Sequence, residues 1–355
     1  MVEKVLGGDR HLEPIGQLVA ALAAAEDAAS RCDERTRSAL GQGLNARMDL
    51  QEACAWAWNR GELVHLEDLV LHDEGLDIRM PDQELTRTHA MLRLWRRAGL
   101  IKPGDLFSPA GVRGLVNPQR AGRSRAVSDL LAGAGGMSDL LGESPPSLPA
   151  ETDATEIDGL LSKAAAITTE DNDEALELWF GLEAEVPRVW PSLLRAALLL
   201  EAWVVIDPFP RRSYLGVALV NALLQRSGRL HHHRLRVEIG RRRVGAEVRR
   251  PVWKSGLGRV VWQLRALAAA EVFALEEHDR ISLARQVVSR ALVGRRSSSR
   301  LGEVIEMFTD HPMVTASMIA QRLKVSQQSA RSLVGQLGAG VAEVTGRARY
   351  QAWRL

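Results

Sequence analysis

A run of polar residues between positions 327 and 332 carries side chains suited to reading the edges of nucleic-acid bases. Gln can pair with adenine and Arg with guanine through two hydrogen bonds each, and Ser can bond to bases or phosphates. Ser326 is placed to cap a helix that begins at this run, and Ala330 and Leu337 mark the apolar face of that helix. The side chains predicted on its exposed face are Gln327, Gln328, Ser329, Arg331 and Ser332.

The chain before this run has the pattern of two shorter helices that would hold it in place. Apolar residues from Leu301 to Phe308 predict an amphipathic helix, and Pro312 discourages its continuation. Thr315 is placed to cap a second helix, which runs to a tight turn at 324–326. A helix, a tight turn and a further helix in this order are typical of a helix-turn-helix motif.

A hairpin is predicted after the third helix, with strands at 341–344 and 349–353 around the turn 345–348. Together with the motif TASMIAQRLKVSQQSARSLVGQL, this segment resembles the winged helix-turn-helix module that closes many bacterial regulators. The resemblance implies binding to double-stranded DNA, with Arg347 and Arg349 of the wing as further contacts. Six basic residues against Glu343 alone, from position 320 to the end, favour DNA over the alternative of a winged helix used only for protein contacts.

A second basic segment lies between Arg226 and Arg265, where twelve Lys or Arg residues face two acidic residues. Its densest cluster is Arg241, Arg242 and Arg243. Such a field attracts a polyanion and contacts phosphates without reading sequence, so these three arginines are predicted DNA contacts. The alternative is pairing with the protein's own acidic segment at 151–190, which has eleven acidic residues against two basic ones.

The middle of the chain, positions 193–230, reads LLRAALLLEAWVVIDPFPRRSYLGVALVNALLQRSGRL and predicts a buried hairpin of two helices. This order resembles the Fic family, in which an apolar helix is followed by HPFx[DE]GNGR and a second helix. The specific part of the match is Ile206, Pro208, Phe209 and the flanking helices. The resemblance implies a Fic-like helical core.

The departures from the Fic signature fall on its catalytic positions. Asp207 stands at the histidine that acts as general base, Arg211 at the acidic residue that holds Mg²⁺, and Leu215 at the arginine. Residues 212–214 replace the Gly-Asn-Gly stretch that binds nucleotide phosphates. An Asp with an ordinary pKa of about 3.9 is a poor base near neutrality. We therefore predict no catalytic residues, no cofactor and no enzymatic activity.

A more specific resemblance is to a family of proteobacterial proteins that join such a degenerate core to a C-terminal helix-turn-helix, with an acidic ELVHLEDLVLHDEG-like stretch that stands here at 62–75. Within it His65, Asp68 and His72 could share one helical face. No further ligand is visible nearby, so no metal site is predicted there. The run 231–233, three successive histidines, is predicted to lie on a basic, exposed edge rather than to bind metal.

Composition excludes several classes of protein. The 355 residues are 46% apolar and 25% charged, as in globular chains of two or three domains. Cys32 and Cys54 are too few for a disulfide framework or a zinc site built on cysteine alone. The longest apolar stretch, 193–206, is too short and too charged for a membrane span, and no secretory signal opens the chain. A cytoplasmic protein is predicted.

The sequence thus predicts a mostly α fold: a Fic-like helical core plus a C-terminal winged helix-turn-helix domain. The predicted parts are an N-terminal helical region (1–103), a flexible linker or loop (104–155), the Fic-like core with the basic segment (156–298) and the DNA-binding domain (299–355). The predicted function is transcriptional regulation by a DNA-binding homodimer, because two winged helices on a palindrome supply affinity that one lacks. The alternatives are a Fic-class nucleotidyl or phosphoryl transferase and an antitoxin-like module that holds a protein partner.

Overall fold

The computed structural model describes residues 9–75, 80–116, 154–167, 169, 171–210, 212–245, 255–292, 300–344 and 351–355. These residues are mostly α-helical, as predicted. The helices of the first half are α1 (Asp9–Thr36), α2 (Gly41–Asn59), α3 (Leu66–Asp73), α4 (Gln83–Ala98), α5 (Pro103–Leu106) and α6 (Pro109–Val116). Those of the middle are α7 (Ala154–Ala166), α8 (Asn172–Glu185), α9 (Ser192–Ile206), α10 (Ser213–Arg226), α11 (Glu238–Gly245) and α12 (Gly256–Ser289).

The C-terminal part combines three helices with a small antiparallel sheet. Its elements are α13 (Leu301–Asp310), β1 (Val314–Thr315), α14 (Ala316–Leu323), α15 (Gln327–Gly335), β2 (Ala342–Glu343) and β3 (Ala352–Arg354). The sheet order is β1-β3-β2, so the last strand of the chain lies in the centre. Within the described ranges, no helix is both long and apolar enough to span a bilayer.

The chain folds into two compact units, and each is built from separated stretches of sequence. Unit 1 consists of 1–24, 93–229 and 250–265, and unit 2 of 25–92, 230–249 and 266–355. The predicted domain ranges remain predictions. Residues 103–106 and 109–116, within or beside the expected linker, form α5 and α6, and Val112 and Leu115 are buried. Residues 117–153 of that linker lie outside the described residues.

The core of unit 1 is the helical hairpin α9–α10 that the sequence predicts. Trp179 of α8 donates a hydrogen bond to the main-chain oxygen of Leu199 and meets Trp203 edge to face at 5.4 Å between ring centroids. Residue 216 is a glycine because a Cβ there would lie 2.4 Å from the Trp203 ring. Close contact between the two helices therefore depends on the absence of a side chain at this position.

The two charged residues that interrupt the apolar sequence of α9 are both paired within unit 1. Arg195 lies 3.0 Å from a carboxylate oxygen of Glu183, and Glu201 lies 3.0 Å from the guanidinium of Arg259. Glu201 is only 1% exposed, so an unpaired carboxylate would carry a large desolvation cost. Pairing explains how a fully buried helix accommodates these charges.

Unit 2 holds the segment 231–239 in place with carboxylates from α1 and α2. Asp33 accepts the main-chain N–H groups of 231–233 over 2.8 to 3.0 Å, and Glu52 accepts those of 237–239 over the same range. Between these two anchors Asp49 pairs with Arg234 and Arg236. The segment has no strand ladder of its own, so the carboxylates satisfy its main-chain donors, and those of 237–239 would otherwise be buried without partners.

The sequence also predicts a short β-ribbon around 234–248. This prediction is wrong for its described part, because residues 238–245 form helix α11. Glu52 receives the N–H groups at the start of this helix, where the positive end of the helix dipole favours a carboxylate. The alternation of apolar and polar residues at 235–239 does not reflect an exposed face, because all five residues are buried and Arg236 and Glu238 are paired with Asp49 and Arg241.

Candidate nucleic-acid interface

Both helices of the helix-turn-helix begin at the caps that the sequence predicts. The Thr315 hydroxyl accepts the N–H of Met318 over 3.1 Å, and the Ser326 hydroxyl accepts that of Ser329 over the same distance. Between them Lys324 adopts the left-handed conformation with a φ of 53°, which ends α14 and lets the chain turn sharply into α15. The caps and this turn fix the angle at which α15 leaves α14.

Helix α15 buries one face and exposes the other. Ala330 and Val334 are buried, Leu337 just beyond the helix is buried, and Leu333 packs against the same core. The residues predicted to read DNA are all exposed: Gln327, Gln328, Ser329, Arg331 and Ser332. The structure thus brings these five side chains onto the solvent side of a single helix.

The five side chains differ in what they contact within the protein. Gln327 donates a hydrogen bond to the Ser317 hydroxyl of α14 over 3.2 Å, and the Ser329 hydroxyl lies 2.9 Å from that of Ser326. Gln328 and Arg331 have no side-chain hydrogen bond to any residue that the structure describes. They lie three positions apart and so share one face of α15. This pair is the part of the surface most available for a ligand.

The predicted wing is present as a pair of strands. Ala342 pairs with Arg354 and Glu343 with Trp353, while Trp353 also pairs with Val314 of β1. Trp353 is 8% exposed and packs into the core under α13–α15. The tip of the wing, with Arg347 and Arg349, lies outside the described residues, so their role as DNA contacts remains a prediction.

The core of the winged helix extends beyond the segment expected from sequence. Val288, near the end of α12, is 1% exposed and belongs to the same cluster as Leu301 and Phe308. A Cβ at Gly340 would lie 2.4 Å from the Val288 side chain, so this end of α12 touches the turn before the wing. Arg280 of α12 also donates a hydrogen bond to the main-chain oxygen of Leu355 over 2.9 Å. Helix α12 is thus part of the platform that carries the wing.

Two exposed basic residues beside α15 were not singled out by sequence reasoning. Arg322 lies in the last turn of α14, and Lys324 follows in the turn itself. Their positive charge close to the start of α15 suits contact with DNA phosphates. Their positions, just before and within the tight turn, indicate a DNA contact only once the structure shows that this turn leads directly into the exposed helix.

The arginines of α11 have partners within unit 2. Arg241 is 14% exposed and pairs with Glu238 over 2.8 Å, so we restrict the expected phosphate contacts to Arg242 and Arg243. Arg242 lies over the ring of Trp58 at 4.3 Å from its centroid, and Arg243 lies 3.0 Å from a carboxylate oxygen of Glu276. None of these partners lies in the acidic segment 151–190 that we weighed as the alternative. Arg242 and Arg243 are exposed despite these contacts.

The histidines at 65 and 72 and those at 231–233, which were considered as metal ligands from the sequence, have different surroundings in the structure. His65 precedes α3 instead of lying within it, and His72 packs edge to face against His89. The expectation of an exposed run at 231–233 is wrong for His233, which is completely buried. The main-chain N–H groups of all three histidines bond to Asp33, while the His233 ring contacts Thr36 and Glu271 in the interior.

Comparison with known proteins agrees with this geometry. Residues 301–355 match the family model described as "HTH DNA binding domain", so the fold and the exposed helix define a protein with a helix-turn-helix DNA-binding domain. Residues 168–293 match the model described as "Protein of unknown function (DUF1612)". The chain is 32% identical to "Uncharacterized protein y4cF" of Sinorhizobium fredii (strain NBRC 101917 / NGR234), over 91% of this chain and 93% of that relative. The chain therefore belongs to the same family as that relative.

Proposed function

We propose that this protein is a transcriptional regulator that binds double-stranded DNA by placing α15 in the major groove. The observation that carries the proposal is the exposed polar face of α15, whose opposite face is buried in a winged helix-turn-helix. A major groove accepts one α-helix, and the residues near the start of the second helix of such a motif contact base edges. Gln328 and Arg331 occupy that part of α15.

The contacts of the five exposed side chains indicate different roles in DNA binding. Gln328 and Arg331 have amide and guanidinium groups free to pair with adenine and guanine, each pairing worth roughly 1 to 3 kcal/mol of discrimination. Gln327 and Ser329 already bond within the protein, so they fix the start of α15 before contacting DNA. Ser332 lies one helical turn beyond Gln328 on the same side. Specificity therefore rests first on Gln328 and Arg331.

Phosphate contacts would set affinity without selecting a sequence. The groups that could supply them are Arg322, Lys324, Arg242, Arg243, Arg347 and Arg349. Each neutralised phosphate releases condensed counterions, so binding should weaken steeply as salt rises. We further propose that the protein binds as a homodimer, because a palindromic site offers two grooves one helical turn apart.

We also propose that the helical core is Fic-like and without catalysis. Supporting this, α9 ends at Asp207 and α10 begins at Ser213, with Pro208 and Phe209 buried in the turn between them. Phe209 stacks on Trp203 at 6.5 Å between centroids, so the turn acts as packing for the hairpin. The positions that hold the general base, the metal ligand and the phosphate-binding residues in the Fic signature carry other residue types here. In this proposal the core takes no part in chemistry.

The test of DNA binding begins with the genomic fragments that the purified full-length protein retains, which are sequenced to find a shared site. The wild type and Arg331→Ala are then titrated with cognate and scrambled duplexes at one fixed salt concentration. Arg331→Ala should lower the ratio of the two affinities about 5-fold or more. Arg37→Ala, which removes a similarly exposed arginine far from α15 in sequence, should leave that ratio unchanged.

Two outcomes would contradict the proposal. If Arg331→Ala remains folded by thermal melting and keeps the wild-type specificity ratio, α15 does not read the site. If the wild type retains no duplex at all, the winged helix serves a protein contact instead.

A further inference from the structure

Three side chains from distant parts of the sequence meet in the interior of unit 2. They are Cys32 of α1, Glu271 of α12 and His233 of the segment between α10 and α11, and none is more than 1% exposed. Their sulfur, nitrogen and oxygen donor atoms all lie within 4.8 Å of one another. A thiol, an imidazole and a carboxylate are the donor types that zinc binds in proteins.

The contacts around His233 orient its ring for a ligand role. Its Nδ1 lies 3.3 Å from the hydroxyl of Thr36, and that hydroxyl donates its own proton to the main-chain oxygen of Cys32 over 2.7 Å. Nδ1 also lies 3.5 Å from the guanidinium of Arg236. A metal at Nε2 requires the tautomer in which Nδ1–H donates to the Thr36 hydroxyl oxygen, and this oxygen is able to accept it. In this tautomer Nε2 keeps its lone pair, as in metal-binding histidines held by a second partner, and it lies within 4.8 Å of the Cys32 sulfur and a Glu271 oxygen.

The carboxylate of Glu271 contacts the imidazole of His233, but no aligned hydrogen bond from the described residues reaches it. Neither oxygen accepts an aligned hydrogen bond, although Nε2 of His233 lies only 2.6 Å from one of them. A buried carboxylate without hydrogen bonds or a counter-charge is costly. The sulfur of Cys32, Nε2 of His233 and the carboxylate of Glu271 provide three protein ligands, and the second oxygen of Glu271 would supply the fourth donor of a four-coordinate ion.

The charges nearby are compatible with a cation. Arg236 approaches His233, but its guanidinium lies 2.7 Å from Asp49 and is neutralised by it. The Cys32 thiol donates a weak hydrogen bond to the main-chain oxygen of Glu271 over 3.1 Å, and burial raises its pKa above the ordinary value. A metal would displace that proton, and a thiolate and a carboxylate together balance a dication.

We propose that Cys32, His233 and Glu271 bind a divalent metal ion of the zinc class that ties α1, the segment 231–239 and α12 together. All donors are buried, so the ion would have a structural role in unit 2, the unit that also carries the helix-turn-helix. The sequence does not show such a site because its ligands share no local spacing. The inference is independent of whether the protein binds DNA.

The test uses the full-length protein purified without chelator and analysed for bound metal by mass spectrometry. One zinc per chain is expected. After removal of zinc, Co²⁺ should give a thiolate-to-cobalt charge-transfer band together with tetrahedral d–d bands. Cys32→Ser should abolish the charge-transfer band. Cys54→Ser should keep it, since Cys54 is also buried but belongs to no such cluster within the described part of the chain.

A second measurement does not depend on the variants folding. In the wild-type protein, zinc should slow alkylation of Cys32 at least 10-fold relative to the metal-free protein and leave the rate at Cys54 unchanged, as read by peptide mass spectrometry. The proposal fails if the wild type holds only substoichiometric metal and gives no charge-transfer band. It also fails if Cys32→Ser retains the band or zinc protects both thiols equally.

Discussion

Arg47 in α2 donates a hydrogen bond of 2.7 Å to the main-chain oxygen of His311, which lies 264 positions away at the end of α13. The same guanidinium binds the main-chain oxygens of Phe308 and Thr309. These are among the last carbonyls of α13, which no N–H within that helix can satisfy. Gly43 permits the approach, because a Cβ there would lie 2.1 Å from the Thr309 oxygen. Helix α2 thus caps the first helix of the winged helix-turn-helix.

Replacement of Arg47 should destabilise unit 2. Arg47→Ala leaves three buried carbonyls without a donor, and hydrogen bonds from a charged group contribute about 1.5 to 3 kcal/mol each before relaxation. We expect the free energy of unfolding to fall by about 3 kcal/mol or more, measured by urea denaturation. Arg37→Ala is the control, since Arg37 is 65% exposed and its ion pair with Glu34 is 3.6 Å long. Its effect should be within about 0.5 kcal/mol. Equal effects of the two substitutions would show that the cap does not stabilise the unit.

The exposed arginines of α11 should contribute affinity for DNA that does not depend on sequence. Arg242→Ala with Arg243→Ala should weaken binding to cognate and random duplexes alike and reduce the salt dependence by up to about two phosphate contacts. The measurement is binding affinity over a series of salt concentrations.

Arg241→Ala serves as the matched variant in the same helix. Its guanidinium is largely buried against Glu238, so its loss should leave the salt dependence unchanged. If the double variant also keeps the wild-type salt dependence of affinity, Arg242 and Arg243 do not contact DNA phosphates. Their role is then limited to the contacts with Trp58 and Glu276.

Glu52 should make stability depend on pH near neutrality. Burial and the nearby charge of Glu238 raise the pKa of Glu52 to about 7 against an ordinary 4.5, although three main-chain N–H groups oppose the shift. The folded protein therefore holds this proton to a higher pH than the unfolded chain does. The stabilisation is complete below about pH 4.5 and is lost as the pH rises through 7, a change of up to about 3 kcal/mol.

Comparison of wild type with Glu52→Gln isolates this contribution, because glutamine does not titrate. The free energy of unfolding, measured by urea denaturation from about pH 5 to pH 8, should decline more for the wild type than for the variant. Parallel curves would mean that Glu52 keeps an ordinary pKa in the folded protein.

Asp207 should have no catalytic role. It lies at the C-terminal cap of α9 in the left-handed conformation, with a φ of 47°, and the residues around it do not match the base, metal and phosphate positions of the Fic signature. The protein incubated with labelled ATP and Mg²⁺ should transfer no label to itself or to added proteins. Transfer that disappears in Asp207→Ala would establish the transferase function instead.

Sequence alone determined the local features of the DNA-binding domain. The caps at Thr315 and Ser326, the end of α13 before Pro312 and the exposed face of α15 depend on residues within about four positions of one another. Capping bonds and helical periodicity act over that range, so a linear pattern is enough to predict them. The hairpin α9–α10 was predictable for the same reason.

Only the tertiary structure decided how distant segments satisfy buried polar groups. Nothing in the sequence links Arg47 to His311, or Cys32 to His233 and Glu271, because the spacing between them follows no period. Arg241 pairs with Glu238 on its own helix, whereas the charge of the sequence predicted a DNA contact, with a distant acidic segment as the alternative partner. A buried charge or carbonyl must find a partner wherever packing supplies one, and packing is a property of the whole fold.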